Sequence, residues 1–452
     1  MVAWRRGRRA SDVDADDLPV KTRIALAATT IVLLLLLAGG SIRLARQNHS
    51  RRTPLGQAAY VWQREWTPAV AEGVQNAERG LSKLVFLAAQ VDWEGDRAKV
   101  IRVRADHAVL LSSGRQVGLA LRIKLRKEPL VPGSPAVAEL AALASNLVAE
   151  ANGSGLRPVE FQVDYDCPES RLREFAGWLA VLKRATPPCA LTVTVLPCWL
   201  SHRDCRQLLD VADGFVLQAH SLSMRQGTRE PMLLDSREAR LAVLRAARFG
   251  KPFEVALPTY GYIVARDGAG KWLGVAAEQS LSRPPPDCIL QEVRSDPAQI
   301  AGLVRAWTLD HPAPMKGLIW YRLPVDGDRL NWAAPTLACV MQGLTPRPSL
   351  AVESLPKESC LCDIQVVNRG TADAVLTGAV IRIPCDSNEV AAADALGGWT
   401  WARRPGCLAL AVPLRSPPPR LKPGDSTAVG WVRWRQPAAP LQLALTKNNE
   451  IP

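Results

Sequence analysis

Histidine, acidic charge and glycine-rich phosphate loops are scarce in this chain of 452 residues. The five histidines, His49, His107, His202, His220 and His311, show no paired spacing. A histidine-based metal site is therefore not expected, and Asp164-Tyr165-Asp166 alone is a weak metal signal. No Gly-x-Gly-x-x-Gly follows an early strand, which argues against a dinucleotide site, and no cofactor is called for. Acids number 43 against 56 basic residues, a net charge of +13, but the excess is scattered arginine. The densest basic group (Arg5, Arg6, Arg8, Arg9) comes with no RNA- or DNA-binding motif, so nucleic acid is not an expected partner.

At 48% hydrophobic and 22% charged residues the chain reads as globular, and its length allows two or three domains. One uncharged run, residues 24–42, is 19 residues long, close to the roughly 20 needed to span a bilayer. Basic residues ahead of it (the four arginines, Lys21, Arg23) outnumber those behind it (Arg43, Arg46, Arg51, Arg52), which favours a cytoplasmic N-terminus over residues 1–23. A cleaved signal peptide is the alternative; the long charged start and the lack of a clear A-x-A site favour an uncleaved anchor. No Cys follows Leu37-Ala38-Gly39-Gly40, so a lipoprotein anchor is excluded. The lipid bilayer is thus an expected partner through 24–42, with 43–58 as a polar linker.

All ten cysteines lie beyond this segment. Export would permit disulfides, with Cys198–Cys205 and Cys385–Cys407 as local candidates; buried free thiols are the other reading. Cys360-Leu361-Cys362 is too tight for a zinc knuckle.

From 59 to 343 short apolar strands alternate with helical stretches. Eight strands are expected, at 59–66, 83–91, 116–124, 159–166, 191–197, 214–220, 253–258 and 317–323, with helices over 135–152, 170–184, 236–249 and 297–309. Eight parallel strands in about 285 residues is the size of an α/β fold of the (β/α)8 TIM-barrel type. A doubly wound open sheet is the runner-up. Past Thr345-Pro346-Arg347-Pro348 the pattern alternates apolar and polar residues, and 349–448 reads as a small Ig-like β-sandwich.

The most telling stretch is Val159 to Pro168. Alternation puts Gln162, Asp164 and Asp166 on one face and Val163 and Tyr165 on the other. Acids on a buried strand face are costly without a purpose, and barrel active sites gather at strand C-termini. The other strand ends are polar and aromatic too: Trp62, Gln63 and Trp66; Gln90 and Asp92; Gln218 and His220; Tyr260 and Tyr262; Trp320, Tyr321 and Arg322. Aromatic floors with carboxylates and amides suit a sugar. An anionic or nucleotide ligand would call for Gly-rich loops and Arg clusters, which the sequence does not show. Two strand acids have Cα atoms about 7 Å apart, and one negative charge raises the pKa of the other. Asp166, nearest the strand end, is the expected general acid, tuned by Asp164, with Asp92 as base or nucleophile. Gln162, Trp62, Trp66, Gln218, His220, Tyr260, Trp320 and Tyr321 are the expected substrate-binding residues. The plainer readings are a hydrogen-bonded barrel layer for the acids, an interior histidine for His220 and core packing for the tryptophans.

From about 57 to 330 the chain resembles an uncharacterised bacterial domain-of-unknown-function family, number three-one-four-two, with a glycosidase-like barrel. The resemblance lies in Val61-Trp62-Gln63-Arg64, Gln162-Val163-Asp164-Tyr165-Asp166, Phe215 to Ser221 and Leu318 to Pro324. More distantly it is similar to chitinase-type glycoside hydrolases, which carry D-x-D-x-E on strand four; Gln162-x-Asp164-x-Asp166 departs at the first and last positions. The resemblance implies a polysaccharide or oligosaccharide partner, either hydrolysed or held by an inactive binding or scaffold barrel; the anchor over 24–42 and its basic flanks add the expectation of a single-pass inner-membrane protein with its bulk in the periplasm. A cytoplasm-facing protein with the anchor inverted is a third reading.

Overall fold

The computed structural model describes residues 54–447, except 96, 225–229, 278–286, 387, 414–418 and 437–442. The segment expected to span a membrane, 24–42, lies outside the described residues. Among those described, no helix is long and apolar enough to cross a membrane.

All eight expected strands form, and they run parallel: β1 (Gly56–Val61), β2 (Lys83–Glu94), β3 (Gln116–Ile123), β4 (Glu160–Asp164), β5 (Ala190–Val195), β6 (Gly214–Gln218), β7 (Phe253–Pro258) and β8 (Met315–Tyr321). β1 pairs with both β8 and β2, so the sheet closes on itself. Closure excludes the open doubly wound sheet. Each strand is followed by a helix: α1 (Pro68–Gln75), α2 (His107–Ser112), α3 (Pro135–Gly153), α4 (Leu172–Ala185), α5 (Cys205–Val211), α6 (Ser236–Ala247), α7 (Pro297–Leu309) and α8 (Ala334–Met341). The helices start at residues suited to a first turn. Pro135 and Pro297 occupy first-turn positions where a missing N–H costs nothing, and Asp235 and Asp296 each accept two first-turn amides.

Apolar residues divide into an inner and an outer layer because strand side chains alternate. Ala58, Tyr60, Val85, Ala120, Val216, Ala256 and Ile319 fill the barrel. Val61, Phe161, Val163, Trp178, Leu318 and Trp320 belong to the larger layer between strands and helices. The barrel base holds a buried ion-pair group. Lys83 Nζ lies 2.9 Å from Glu254 Oε2, with a hydrogen bond, and 3.1 Å from Glu160 Oε1. Gly118 makes room for it: a Cβ there would stand 2.7 Å from Glu160 Cγ.

Two features were not foreseen. β2 runs three residues longer than expected and turns into an antiparallel partner, Arg97–Arg102. Between β7 and α7 sits a three-stranded antiparallel sheet, Gly261–Arg266, Trp272–Ala276 and Ile289–Arg294. Beyond α8, two four-stranded antiparallel sheets share one core that includes Ile364, Val366, Ile381, Leu408, Leu410, Val429 and Val432. Lys422 of this region donates to the Asp328 carbonyl in the loop after β8, and Arg294 pairs with Asp373 at 3.6 Å.

All ten cysteines are free thiols, so neither expected disulfide is formed. Cys198 is exposed on the turn after β5, whereas Cys205 is buried in the first turn of α5.

Candidate active site

β4 ends two residues earlier than expected, at Asp164, and Asp166 follows on the loop that Pro168 terminates. The alternation holds. Tyr165 packs outward against Phe175 and Trp178 at ring distances of 5.2 and 5.4 Å. Gln162 points into the barrel and donates to the Tyr60 hydroxyl at 2.6 Å and to Thr194 Oγ1 at 3.4 Å. It is 1% exposed, so it forms the layer under the acids rather than a contact surface.

Asp164 lies above this layer, 9% exposed, with Arg122 Nε 3.8 Å from its Oδ2. Burial and the neighbouring Asp166 push its carboxyl up to about 6, against the opposing pull of Arg122 and a Thr194 hydrogen bond. Asp166 stands open at the rim, yet desolvation of its carboxyl raises it too, with Arg122 again opposing. The two acids titrate as a pair. Burial depresses the Arg122 guanidinium less than Asp164, Tyr321 and Asp166 raise it, so it stays charged.

The raised Asp164 makes the site a burden on the fold at neutral pH. A carboxyl whose native pKa lies above its unfolded value of 3.8 favours the fold when protonated. That contribution is present in acid and is lost as pH rises towards 6. Asp164→Asn is therefore expected to raise the melting temperature, relative to wild type, more at pH 7 than at pH 4. Thermal unfolding at the two values measures this; an equal shift at both would refute it.

Asp92, on β2, is fixed from two sides. Gln90 Nε2 donates to its Oδ1 at 2.5 Å and Lys124 Nζ lies 2.8 Å from its Oδ2. Desolvation raises its carboxyl, but the Lys124 and Gln90 hydrogen bonds outweigh this and hold it below the usual range. His220 is buried and pushed down to about 3 by desolvation, so it is neutral. Its ring stacks on Tyr321 at 5.5 Å and its Nδ1 lies 3.3 Å from the Tyr260 hydroxyl. Gln218 turns back on the His220 carbonyl at 3.3 Å.

A cleft of about 540 Å³ opens beside these groups, lined by Trp62, Gln63, Arg64, Glu65, Tyr260, Tyr262, Ala277, Tyr321 and Arg322. Trp62, Tyr60 and Tyr321 pack edge to face at 5.2 to 5.7 Å. Asp164 and Asp166 are not in that lining. Tyr321 connects them to it: it lines the cleft, and the Asp164 charge helps to raise its phenol, behind the larger effect of burial.

Of the eight expected binding residues, Gln162, Trp66, Gln218, His220 and Trp320 do not line this cleft. Trp320 is fully buried on the outer face of β8, where Nε1 donates to Gln57 Oε1 at 2.8 Å; Ile319 and Tyr321 take the inner positions, so Tyr321 replaces it as the cleft aromatic. Trp66 packs on Phe86 at 6.4 Å, also in the outer layer. Sequence reasoning missed Arg122 as a site residue, although its place two residues after the inward Ala120 marks its face. Arg64, Tyr262 and Arg322 stood in motifs noted for other residues. Among the described residues no group of three or more His, Cys, Asp or Glu is placed to hold a metal ion.

Residues 133–326 match the family model described as a domain of unknown function (DUF3142). No curated protein sequence matches the chain. Among solved structures the chain is similar to the spore cortex-lytic enzyme SleL of Bacillus megaterium QM B1551, at 11% identity and a TM-score of 0.46 over 65% of this chain and 75% of that one. It is similar also to a chitinase from Bacteroides thetaiotaomicron, at 14% identity and a TM-score of 0.41 over 64% and 97%. Chitinase ChiA74 from Bacillus thuringiensis aligns at 8% identity and a TM-score of 0.40 over 87% and 100%.

Proposed function

We propose that this chain, matched to DUF3142 over residues 133–326, is a glycan-binding barrel that hydrolyses its ligand with Asp166 as general acid. The observation that carries this is the coupled Asp164–Asp166 pair, both members raised, at the C-terminal mouth of the barrel next to an aromatic cleft. A carboxyl whose pKa is raised holds its proton to higher pH and can pass it to a glycosidic oxygen. The C–O bond then breaks, and attacking water supplies a hydroxyl to the anomeric carbon and returns a proton to the acid pair. Trp62, Tyr260, Tyr262 and Tyr321 offer faces for the sugar ring. The uncharged run 24–42 motivates an anchored protein with the barrel on the periplasmic side, and a reporter fused at residue 452 tests that orientation.

The test is turnover of cell-wall and exopolysaccharide fragments by the wild-type protein; no product from any of them would refute hydrolysis. Trp62→Ala is expected to weaken glycan binding by about tenfold, read by calorimetry. A second reading, an inactive binding barrel, is favoured by one observation. Asp92, the expected base, is held by Lys124 and Gln90 and kept ionised, which makes it a weak base. That reading expects saturable binding and no product.

A further inference from the structure

We propose that the glycan taken by the cleft carries a carboxylate or a similar oxyanion substituent, and that Arg64 receives it. This rests on the glycan-binding reading above. Three arginines from distant parts of the sequence approach one mouth: Arg64 after β1, Arg122 on β3 and Arg322 after β8. Two of them lie within ion-pair distance of a carboxylate. Arg322 Nη2 lies 2.5 Å from Asp328 Oδ1, and Arg122 faces Asp164. Arg64 is exposed in the cleft lining and donates 2.7 Å to the neutral Oε1 of Gln90.

Gln90 is 1% exposed, so the guanidinium is steered from beneath by a buried amide. Asp92 feels the Arg64 charge but makes no hydrogen bond to it, its two oxygens being taken by Gln90 and Lys124. A guanidinium has five N–H donors in a rigid fork, and one bond to Gln90 leaves several unspent. Such a fork binds carboxylate or phosphate oxygens in pairs. The neighbouring Gln63 side chain adds a second sign. Both of its amide atoms are buried without a hydrogen-bond partner in the same wall, and buried polar atoms in native proteins are normally satisfied. Glu65 lines the cleft as well and opposes an anion there, so its removal gives an independent arm to the test.

The experiment is calorimetry on the full chain with oligogalacturonate, oligoglucuronate and muramic-acid-containing peptidoglycan oligosaccharides, each against its own methyl ester. At least one acid is expected to bind about tenfold more tightly than its ester, the scale of a charge-assisted contact. Arg64→Gln should abolish that preference while ester binding persists, and Glu65→Gln should widen it. Equal binding of acid and ester, or a preference that survives Arg64→Gln, overturns this inference. Tight binding of neutral glycans alone also overturns it and leaves the glycan-binding reading standing. Binding of no glycan at all overturns both.

Discussion

Asp166→Asn is expected to lower glycan turnover by about 10²- to 10⁴-fold, the usual contribution of a positioned general acid. The amide keeps the shape of the carboxyl but cannot supply the proton. Binding should survive, because the cleft aromatics lie across Tyr321 from the acid pair and do not depend on it. The pH dependence should change as well. In the wild type the alkaline limb of activity follows the acid pair, because the general acid must hold its proton, with Asp164 at about 6. With Asp166 gone, the Asp164 carboxyl loses the like charge that helps to raise it, so it should titrate lower, towards the value set by burial and Arg122. Kinetics on a cleaved fragment, with calorimetry on the same variant, check this. A variant as active as wild type would remove Asp166 from the reaction.

Lys83→Met should have the largest effect on stability. It leaves Glu160 and Glu254 facing each other in the barrel base, with side chains 8% and 19% exposed. Breaking a buried charge group by deleting one partner costs about 3–5 kcal/mol. Burial pushes the Glu254 carboxyl up, and the coulombic pull of Lys83 is what opposes this most. Without the ammonium Glu254 must take up a proton to remain buried. The variant should therefore recover stability as pH falls, since a raised carboxyl favours the fold when protonated and stops doing so as pH rises through its native pKa. Adding Glu254→Gln should restore part of the loss by removing one of the stranded charges. Urea unfolding at pH 5 and pH 7 measures both effects. Loss of less than about 1 kcal/mol in the single variant would show that the base of the barrel is wetter than its burial indicates.

The barrel was legible because each strand is short, apolar and bounded, and because helical stretches alternate with the strands. What was not legible was registry at the strand ends. Trp320 and Tyr321 are neighbours with opposite faces, and only the strand's phase in the barrel tells which one meets a ligand. That phase places Ile319 inside, so Tyr321 follows it and Trp320 packs among the helices. The sheet inserted after β7 went unread because its alternating residues resemble a continuation of the strand, and it is what brings Tyr262 to the cleft.

The sequence by itself determined eight short strands alternating with helices, the strand that carries Asp164, and the aromatic character of the strand ends. Those depend on local periodicity and composition, which act over a few residues. Only the tertiary structure decided the electrostatics of the mouth. Arg64, Arg122 and Arg322 form no cluster along the chain, yet barrel closure places the first and last strands side by side and turns Arg122 towards the same opening. Pairing of the neighbouring strands β1, β2 and β3 sets Asp92 against Lys124 and Arg64 against an amide. Charges interact through space, so which of them balance one another became fixed only when the strands met.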